Sequence, residues 1–235
     1  MRIEIWSDVV CPWCFIGKRR LERALDGFAH RDDVEVEYRS FELDPTAPTP
    51  ATERMDEVLA RKYGGGLDNA RRMMTQVTEV AAGEGLEYHL GSTLRGNTVD
   101  AHRLLHLALR ESGPRVQADL KESLMTAYFT RAEDITDHDV LRKAATDAGL
   151  DPIRVEAVLS SGEYADAVSA DVDQARAFGA SGVPFFVVDR KYAVSGAQPT
   201  EVFTQVLERA WSESHPSLTV VGDGADGEVC GPDGC

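Results

Sequence analysis

Two cysteines separated by two residues are the part of this sequence that points most directly to chemistry. Cys11 and Cys14 enclose a Pro-Trp pair. Cysteines at this spacing support reversible thiol–disulfide exchange, half of a zinc site, or a short inert disulfide. The second pair of a zinc site usually follows within a few dozen residues, whereas the other cysteines here are Cys230 and Cys235. The spacing therefore favours redox chemistry over zinc binding and over an inert disulfide.

The position of this motif, between a predicted strand and a predicted helix, suggests how one sulfur becomes reactive. Cys11 would be the N-cap and Pro12 the first helical residue, where its missing N–H costs nothing. The free N–H groups of Trp13 and Cys14 would then stabilise a thiolate on Cys11. We predict that Cys11, at the exposed tip, attacks a disulfide and that Cys14 resolves the mixed disulfide. Trp13 would be either a lid over Cys14 or an aromatic that docks the substrate.

Hydrophobic periodicity predicts strands at both ends of the chain and helices between them. Period-two alternation predicts strands at about 2–7, 34–41, 184–188 and 192–195. Helical spacing predicts helices at about 12–29, 53–63, 67–83, 98–111, 115–129, 137–148, 152–160, 163–178 and 199–212. The order is βαβ, a long helical block, then ββα. The first two strands would be parallel, because a helix connects them.

The composition is that of a globular chain with an excess of acidic residues. Of the 235 residues, 43% are hydrophobic, and 25 Lys and Arg stand against 40 Asp and Glu, for a net charge of −15. Nucleic-acid binders and proteins drawn to anionic lipid need cationic surface, so we expect neither kind of partner. No apolar run approaches the ~20 residues of a membrane helix, and the N-terminus lacks a secretory signal pattern. We expect a cytoplasmic protein.

The element order, with the cysteine motif after the first strand, resembles the thioredoxin-fold DsbA family, specifically its FrnE-like dithiol–disulfide isomerases. The resemblance covers about residues 2–212 and is carried by residues 7–17, 39–45, 97–98, 101–104, 181–186 and 194–198. It implies an α/β thioredoxin fold with a large all-helical insertion between the second and third strands. The predicted parts are a discontinuous thioredoxin-like domain of residues 1–44 and 181–213, and a helical insertion of residues 45–180.

The resemblance also implies a second part of the site. In thioredoxin folds, a cis-proline before the third strand faces the cysteine motif, and the residue before it pairs with an extended substrate. These positions are Val183 and Pro184 here. One departure from the family concerns a buried acid that often stands six residues before the first cysteine, where this chain has Ile5. Proton transfer to and from Cys14 would then need water or another group.

The last residues, 214–235, are predicted to be a flexible acidic tail, because glycine and acidic residues dominate their C-terminal part. A Gly-Pro-Asp-Gly turn would bring Cys230 and Cys235 within disulfide range. Some FrnE-like proteins carry a similar pair. We hypothesise that Cys230 and Cys235 exchange electrons with Cys11 and Cys14, with incidental oxidation of a solvated tail as an equally weighted alternative.

His102 and His106 are the remaining candidates for a metal site. They lie four residues apart on a predicted helix, but leucines surround them and no glutamate stands between them as in a zinc-protease motif. We therefore predict no metal site.

Residues and resemblance together predict a thiol–disulfide oxidoreductase or isomerase that acts on protein or peptide disulfides through a mixed disulfide at Cys11. No bound cofactor is expected, and glutathione is a candidate reductant or oxidant. A monomer and a dimer are both compatible with the sequence. One alternative is a glutathione-dependent isomerase or transferase of the hydroxychromene carboxylate isomerase or kappa type, in which serine usually replaces the nucleophile. The other is a zinc- or peptide-binding module without turnover.

Overall fold

A computed structural model describes residues 1–216 and places the cysteine motif at one end of a four-stranded sheet. The strands are β1 (Arg2–Ser7), β2 (Glu35–Ser40), β3 (Glu53–Arg54), β4 (Leu94–Arg95), β5 (Phe185–Val188) and β6 (Tyr192–Ser195). The helices of these residues are α1 (Pro12–Asp26), α2 (Met55–Tyr63), α3 (Gly66–Gly83), α4 (Val99–Ser112), α5 (Pro114–Phe129), α6 (His138–Asp147), α7 (Pro152–Leu159), α8 (Ala165–Ala177) and α9 (Thr200–Ser214).

The main sheet has the strand order β2-β1-β5-β6. β1 and β2 are parallel, with Ile3 opposite Val36, and α1 connects them as predicted. β5 is antiparallel to β1, with Phe186 opposite Ile5, and also antiparallel to β6. This βαβ…ββα arrangement is the thioredoxin fold that the sequence predicts.

The segment between β2 and β5 differs from the prediction in one detail. It contains the predicted helices α2 to α8 and also a short antiparallel ladder in which β3 pairs with β4. Strands of two residues are too short to show an alternating pattern, so periodicity could not predict them. An ion pair of 2.9 Å between Arg95 Nη1 and Glu53 Oε2 joins the two strands.

Helix α1 packs against the sheet along its length and against the helical segment at its beginning. On the sheet side, Leu21 and Leu25 pack with Ile5 and with apolar residues of α9. On the other side, Phe15 packs with the helical segment, in a core that also includes both cysteines of the motif. Because this core is continuous across the predicted boundary, the division into residues 1–44 with 181–213 and residues 45–180 stays a prediction.

The helical segment also covers the outer edge of the sheet. β2 is an edge strand, and exposed edges attract other strands. Gln117 of α5 is 1% exposed, and its amide mimics a neighbouring strand. Its Oε1 accepts from the Tyr38 N–H and its Nε2 donates to the Tyr38 carbonyl, both at 2.8 Å. The Asp171 carboxylate of α8 accepts from the Ser40 N–H at 2.8 Å.

Among residues 1–216, no helix combines the length and the apolar composition needed to cross a membrane.

We expect Gln117→Met to destabilise the fold by about 2–6 kcal/mol, because it leaves two buried backbone groups of Tyr38 without partners at about 1–3 kcal/mol each. Urea unfolding at neutral pH measures this change. Gln205→Met, on the exposed face of α9, is the control and should change the free energy of unfolding by less than about 0.5 kcal/mol. Equal effects of the two substitutions would show that the amide does not support the edge of the sheet.

Candidate active site

Cys11 and Pro12 occupy the helix positions that the sequence predicts. Cys11 is the N-cap of α1 with an extended backbone (φ −88°, ψ 113°), and Pro12 is at the start of the helix. The Cys14 N–H donates to the Cys11 carbonyl at 3.0 Å, and the Cys11 N–H points to the Asp8 carbonyl at 3.4 Å. The Tyr88 hydroxyl donates to the Pro12 carbonyl at 2.8 Å and so fixes the first turn from the side of the helical segment.

The predicted hydrogen bonds from helix N–H groups to the Cys11 sulfur are absent in the described structure. The Cys11 side chain accepts no capping bond. Its thiol instead donates to the Val183 carbonyl, with Sγ and O 3.6 Å apart. The prediction concerned a thiolate, which accepts hydrogen bonds, whereas a neutral thiol is a weak donor and turns towards a carbonyl.

Cys11 is also less exposed than predicted. It is 4% exposed, and Cys14 is 3% exposed. Cys11 borders a cleft of about 610 Å³ between α1 and the helices α2 and α3, and Cys14 is not among the residues that line it. The expectation of an exposed tip was therefore wrong, because Cys11 lies in a core that includes residues of α3, with residues of α2 packed against it. The cleft still gives Cys11, unlike Cys14, a route to a substrate.

The cleft wall is largely apolar. Its lining includes Trp13, Leu43, Leu59, Tyr63, Met74 and Val77. Trp13 is 44% exposed and Tyr63 is 57% exposed. Trp13 therefore borders the cleft beside the N-cap cysteine, and its role as a lid or as a docking aromatic stays a prediction.

The Val183–Pro184 bond is cis, as the resemblance implied. Val183 borders the cleft, and its carbonyl is the group that the Cys11 thiol contacts. Gly17 lets α1 approach this loop closely, because a Cβ there would lie 3.1 Å from Pro184 Cγ and from Phe186 Cζ. Pairing of the Val183 backbone with a substrate stays a prediction. A second cis bond, Thr49–Pro50, was not predicted.

A family model described as the DsbA-like thioredoxin domain matches residues 2–208. The chain belongs to this family. The thioredoxin fold and the DsbA resemblance are thereby confirmed, and the FrnE-like subdivision stays a prediction.

Three relatives show how far the similarity extends. A probable DsbA oxidoreductase from Streptomyces coelicolor is 45% identical and superposes with a TM-score of 0.85, covering 100% of this chain and 98% of that one. The uncharacterized protein YwbO from Bacillus subtilis is 26% identical over 209 residues, covering 88% of this chain and 96% of its own. The cytosolic disulfide reductase DsbM from Pseudomonas aeruginosa, solved with GSH, is 17% identical with a TM-score of 0.63, covering 90% and 99%. DsbM therefore shares the fold.

Behind the cysteines, this DsbA-like domain buries charged groups whose pairing sequence reasoning did not predict. Asp8 is fully buried, and its carboxylate accepts from the Leu43 N–H at 2.8 Å and lies 3.3 Å from His102 Nε2. Burial alone would raise the pKa of Asp8, but the hydrogen bond from His102 and the charge of Lys121 hold it below its usual value. Burial lowers the pKa of His102, so we assign a neutral imidazole that donates to an ionised Asp8.

Lys121 of α5 was missed as well. It is fully buried, and its Nζ donates to the Ser7 carbonyl at 3.2 Å. The sequence did contain a signal, because Lys121 follows Gln117 by four residues and precedes Leu124 by three. Its side chain therefore falls on the face of α5 that enters the core.

The DsbA-like domain uses its histidine pair for internal contacts. His102 faces Asp8, while His106 Nε2 lies 3.1 Å from Ser40 Oγ and 3.2 Å from Asp171 Oδ2. Within the described part of the chain, no three His, Cys, Asp or Glu side chains cluster closely enough to hold a metal ion. Cys230 and Cys235 lie outside the described residues.

The low pKa of buried His102 predicts a pH-dependent stability. The unfolded chain protonates this histidine near pH 6.5, whereas the folded chain does so only at lower pH. Stability is therefore complete above about pH 6.5 and falls as the pH drops below it, by up to about 1.4 kcal/mol per pH unit for this group. Urea unfolding at pH 7 and pH 5.5 should show a smaller loss in His102→Gln than in wild type.

The exposed His89 provides the control for this prediction. His89→Gln should keep the wild-type loss of stability between the two pH values. An equal loss in wild type and His102→Gln would contradict the assignment of a neutral, buried His102.

Proposed function

We propose that this DsbA-like protein is a thiol–disulfide oxidoreductase or isomerase that acts on protein or peptide disulfides through Cys11. The observation that carries the proposal is the unequal placement of two unpaired thiols in the first turn of α1. Cys11 borders a cleft large enough for part of a peptide, while Cys14 lies behind it. That is the arrangement in which one sulfur captures a substrate and the other releases it.

The reaction would proceed in two exchanges. The Cys11 thiolate attacks a substrate disulfide, forms a mixed disulfide and expels one substrate sulfur, which takes up a proton. The Cys14 thiolate then attacks the Cys11 sulfur, which forms the Cys11–Cys14 disulfide and expels the second substrate sulfur. The substrate gains two electrons and two protons, and the enzyme loses them. The reverse sequence oxidises a substrate dithiol to a disulfide. When another thiol of the substrate attacks the mixed disulfide instead of Cys14, Cys11 is released and the substrate disulfide is isomerised.

The cleft supports a peptide substrate. Its apolar wall, with Trp13 and Tyr63 exposed, would hold side chains that flank the substrate cysteine. The Val183 carbonyl, which the Cys11 thiol contacts now, would be available to a substrate N–H once Cys11 has reacted. Pro12 would support the site through the fixed first turn of the helix.

Glutathione is the small thiol that we propose as the electron donor or acceptor. A cleft of about 610 Å³ falls within the range of about 300–1,000 Å³ typical of sites for small molecules. The fold relative DsbM was solved with GSH and is named a cytosolic disulfide reductase. We also propose a cytoplasmic location, where the glutathione pool would keep both thiols reduced.

Reduction of insulin disulfides by dithiothreitol or glutathione tests the proposed activity. Wild type should accelerate it, Cys11→Ser should abolish the acceleration, and Cys14→Ser should accumulate a mixed disulfide on Cys11. The potential of the pair, equilibrated with glutathione, gives the direction of electron flow.

Two other outcomes of this experiment would contradict the proposal. Glutathione-dependent turnover that persists in Cys14→Ser would favour the isomerase or transferase of the hydroxychromene carboxylate or kappa type. Stoichiometric zinc in the freshly purified protein, with no effect on insulin, would favour a binding module.

We further propose that Cys230 and Cys235 relay electrons to or from the Cys11–Cys14 pair. The length of chain between α9 and the tail cysteines is sufficient for exchange with the motif. The ring centroids of Trp211 in α9 and Phe28, which follows α1, lie 6.0 Å apart. The C-terminal end of α9 is therefore near the C-terminal end of α1. The 15 residues of α1 span about 22 Å, and the 16 residues from Ser214 to Cys230 reach about 50 Å when extended.

Non-reducing digestion and mass spectrometry of Cys14→Ala test the relay. Without its resolving partner, Cys11 should be recovered in a disulfide with Cys230 or Cys235. Cys11→Ala is the matched control and should show no disulfide between the motif and the tail. Absence of both crosslinks in Cys14→Ala under oxidising conditions would overturn the relay and leave the activity of Cys11 untouched.

A further inference from the structure

The cleft beside Cys11 carries charged side chains as well as apolar ones. Among the described residues, those that bring charge to its lining are Asp44, Lys62 and Arg95. An apolar wall accepts many kinds of side chain, whereas a fixed charge favours a substrate group of opposite sign and disfavours one of the same sign. What the cleft can select therefore depends on which of these charges the protein itself already matches.

Arg95 and Asp44 are matched within the protein. Arg95 Nε lies 2.7 Å from Asp44 Oδ2, and Arg95 Nη1 lies 2.9 Å from Glu53 Oε2. The hydrogen bond from Arg95 holds the pKa of Asp44 below its usual value, so this carboxylate stays ionised and paired at neutral pH. The guanidinium of Arg95 thus has two carboxylates of its own and is not available to a substrate.

Lys62 differs from the other four lysines of the chain. Lys18, Lys143 and Lys191 each form an ion pair with an aspartate or a glutamate. Lys121 is buried. Lys62 is exposed and forms no ion pair with any residue that the structure describes. An exposed lysine without an internal partner is thus placed at the cleft that Cys11 borders.

The side chain of Tyr63 lies beside the Lys62 ammonium. Lys62 Nζ is 5.6 Å from the centroid of the Tyr63 ring, within the range of about 6 Å over which a cation is attracted to an aromatic face. Tyr63 borders the same cleft and is 57% exposed. The ammonium is therefore next to an apolar surface of the cleft and open to a ligand from solvent.

We propose that Lys62 is a specificity residue that favours acidic substrates, namely peptides or protein segments with a carboxylate a few residues from the reacting cysteine. This inference rests on the proposed function and names the substrate class for it. Cys11 and Lys62 border one cleft of about 610 Å³, so a single extended segment can present its sulfur to one and its carboxylate to the other. The apolar wall would hold the side chains between them.

The contact with Lys62 would act on binding and leave the exchange itself unchanged. The ammonium does not touch the reacting sulfurs, so it would stabilise the bound substrate and the transition state to the same extent. Such uniform binding lowers KM without raising kcat.

Capped peptides joined by a disulfide to uncharged 2-mercaptoethanol test the proposal. One variable residue, placed two to four positions to either side of the cysteine, is Glu, Gln or Lys. Uncharged dithiothreitol keeps the protein reduced, so that no carboxylate of glutathione takes part, and liquid chromatography measures the peptide thiol released. At the positions that reach Lys62, wild type should have a KM about two- to fivefold lower for Glu than for Gln, as an exposed ion pair of roughly 0.4–1 kcal/mol gives. The KM for Lys should be the highest.

Three substitutions at Lys62 separate a charge contact from a structural role in the last turn of α2. Lys62→Met should bring the ratio of the KM values for Glu and Gln peptides to about one. Lys62→Glu should reverse the order, so that the Lys peptide has the lowest KM, and Lys62→Arg should keep the wild-type order. A structural role would change KM by the same factor for all three peptides, and that result would overturn the inference.

Lys143→Glu is the matched control, because it changes the net charge of the protein by the same amount as Lys62→Glu. Lys143 is exposed on α6 and does not border the cleft, so this variant should keep the wild-type ratios. Equal KM values for Glu and Gln at every position in wild type would overturn the inference, as would ratios that change as much in Lys143→Glu as in Lys62→Glu. Release of peptide thiol no faster than with dithiothreitol alone would instead overturn the proposed function.

Discussion

The chemistry of this domain depends on the backbone around the first turn of α1 being held from the side of the helical segment. Tyr88 donates to the Pro12 carbonyl, and Lys121 donates to the Ser7 carbonyl. The Asp8 carboxylate accepts a hydrogen bond from the N–H of Leu43, which follows β2 in the chain. These bonds fix where the helix begins, and therefore which sulfur faces the cleft and which faces the core.

The same constraint explains why so much charge lies inside the fold. Asp8 and Lys121 are both fully buried, and each is held by a backbone group: the Asp8 carboxylate accepts from the Leu43 N–H, and Lys121 Nζ donates to the Ser7 carbonyl. The charge of Lys121 helps to keep the pKa of Asp8 below its usual value. The neutral imidazole of His102 donates a hydrogen bond to the same carboxylate.

Local pattern was sufficient to predict most of the architecture and the N-cap geometry of Cys11, because strand alternation, helical spacing and the proline after Cys11 are properties of neighbouring residues. The cis state of Val183–Pro184 required the family resemblance, since proline alone does not specify it. The enclosure of Cys11 by α2 and α3 could not be predicted, because it depends on how separate helices pack. The same holds for Lys121, which lies 114 residues from Ser7 in sequence and donates to its carbonyl.

We expect Cys11 alone to meet the substrate and Cys14 to act from behind it. Brief treatment of the folded, reduced protein with limiting iodoacetamide, followed by digestion and mass spectrometry, tests this directly. Within the motif, Cys11 should carry the label and Cys14 should stay unlabelled until urea unfolds the chain. Labelling of Cys14 before Cys11, or of neither cysteine until unfolding, would contradict the account.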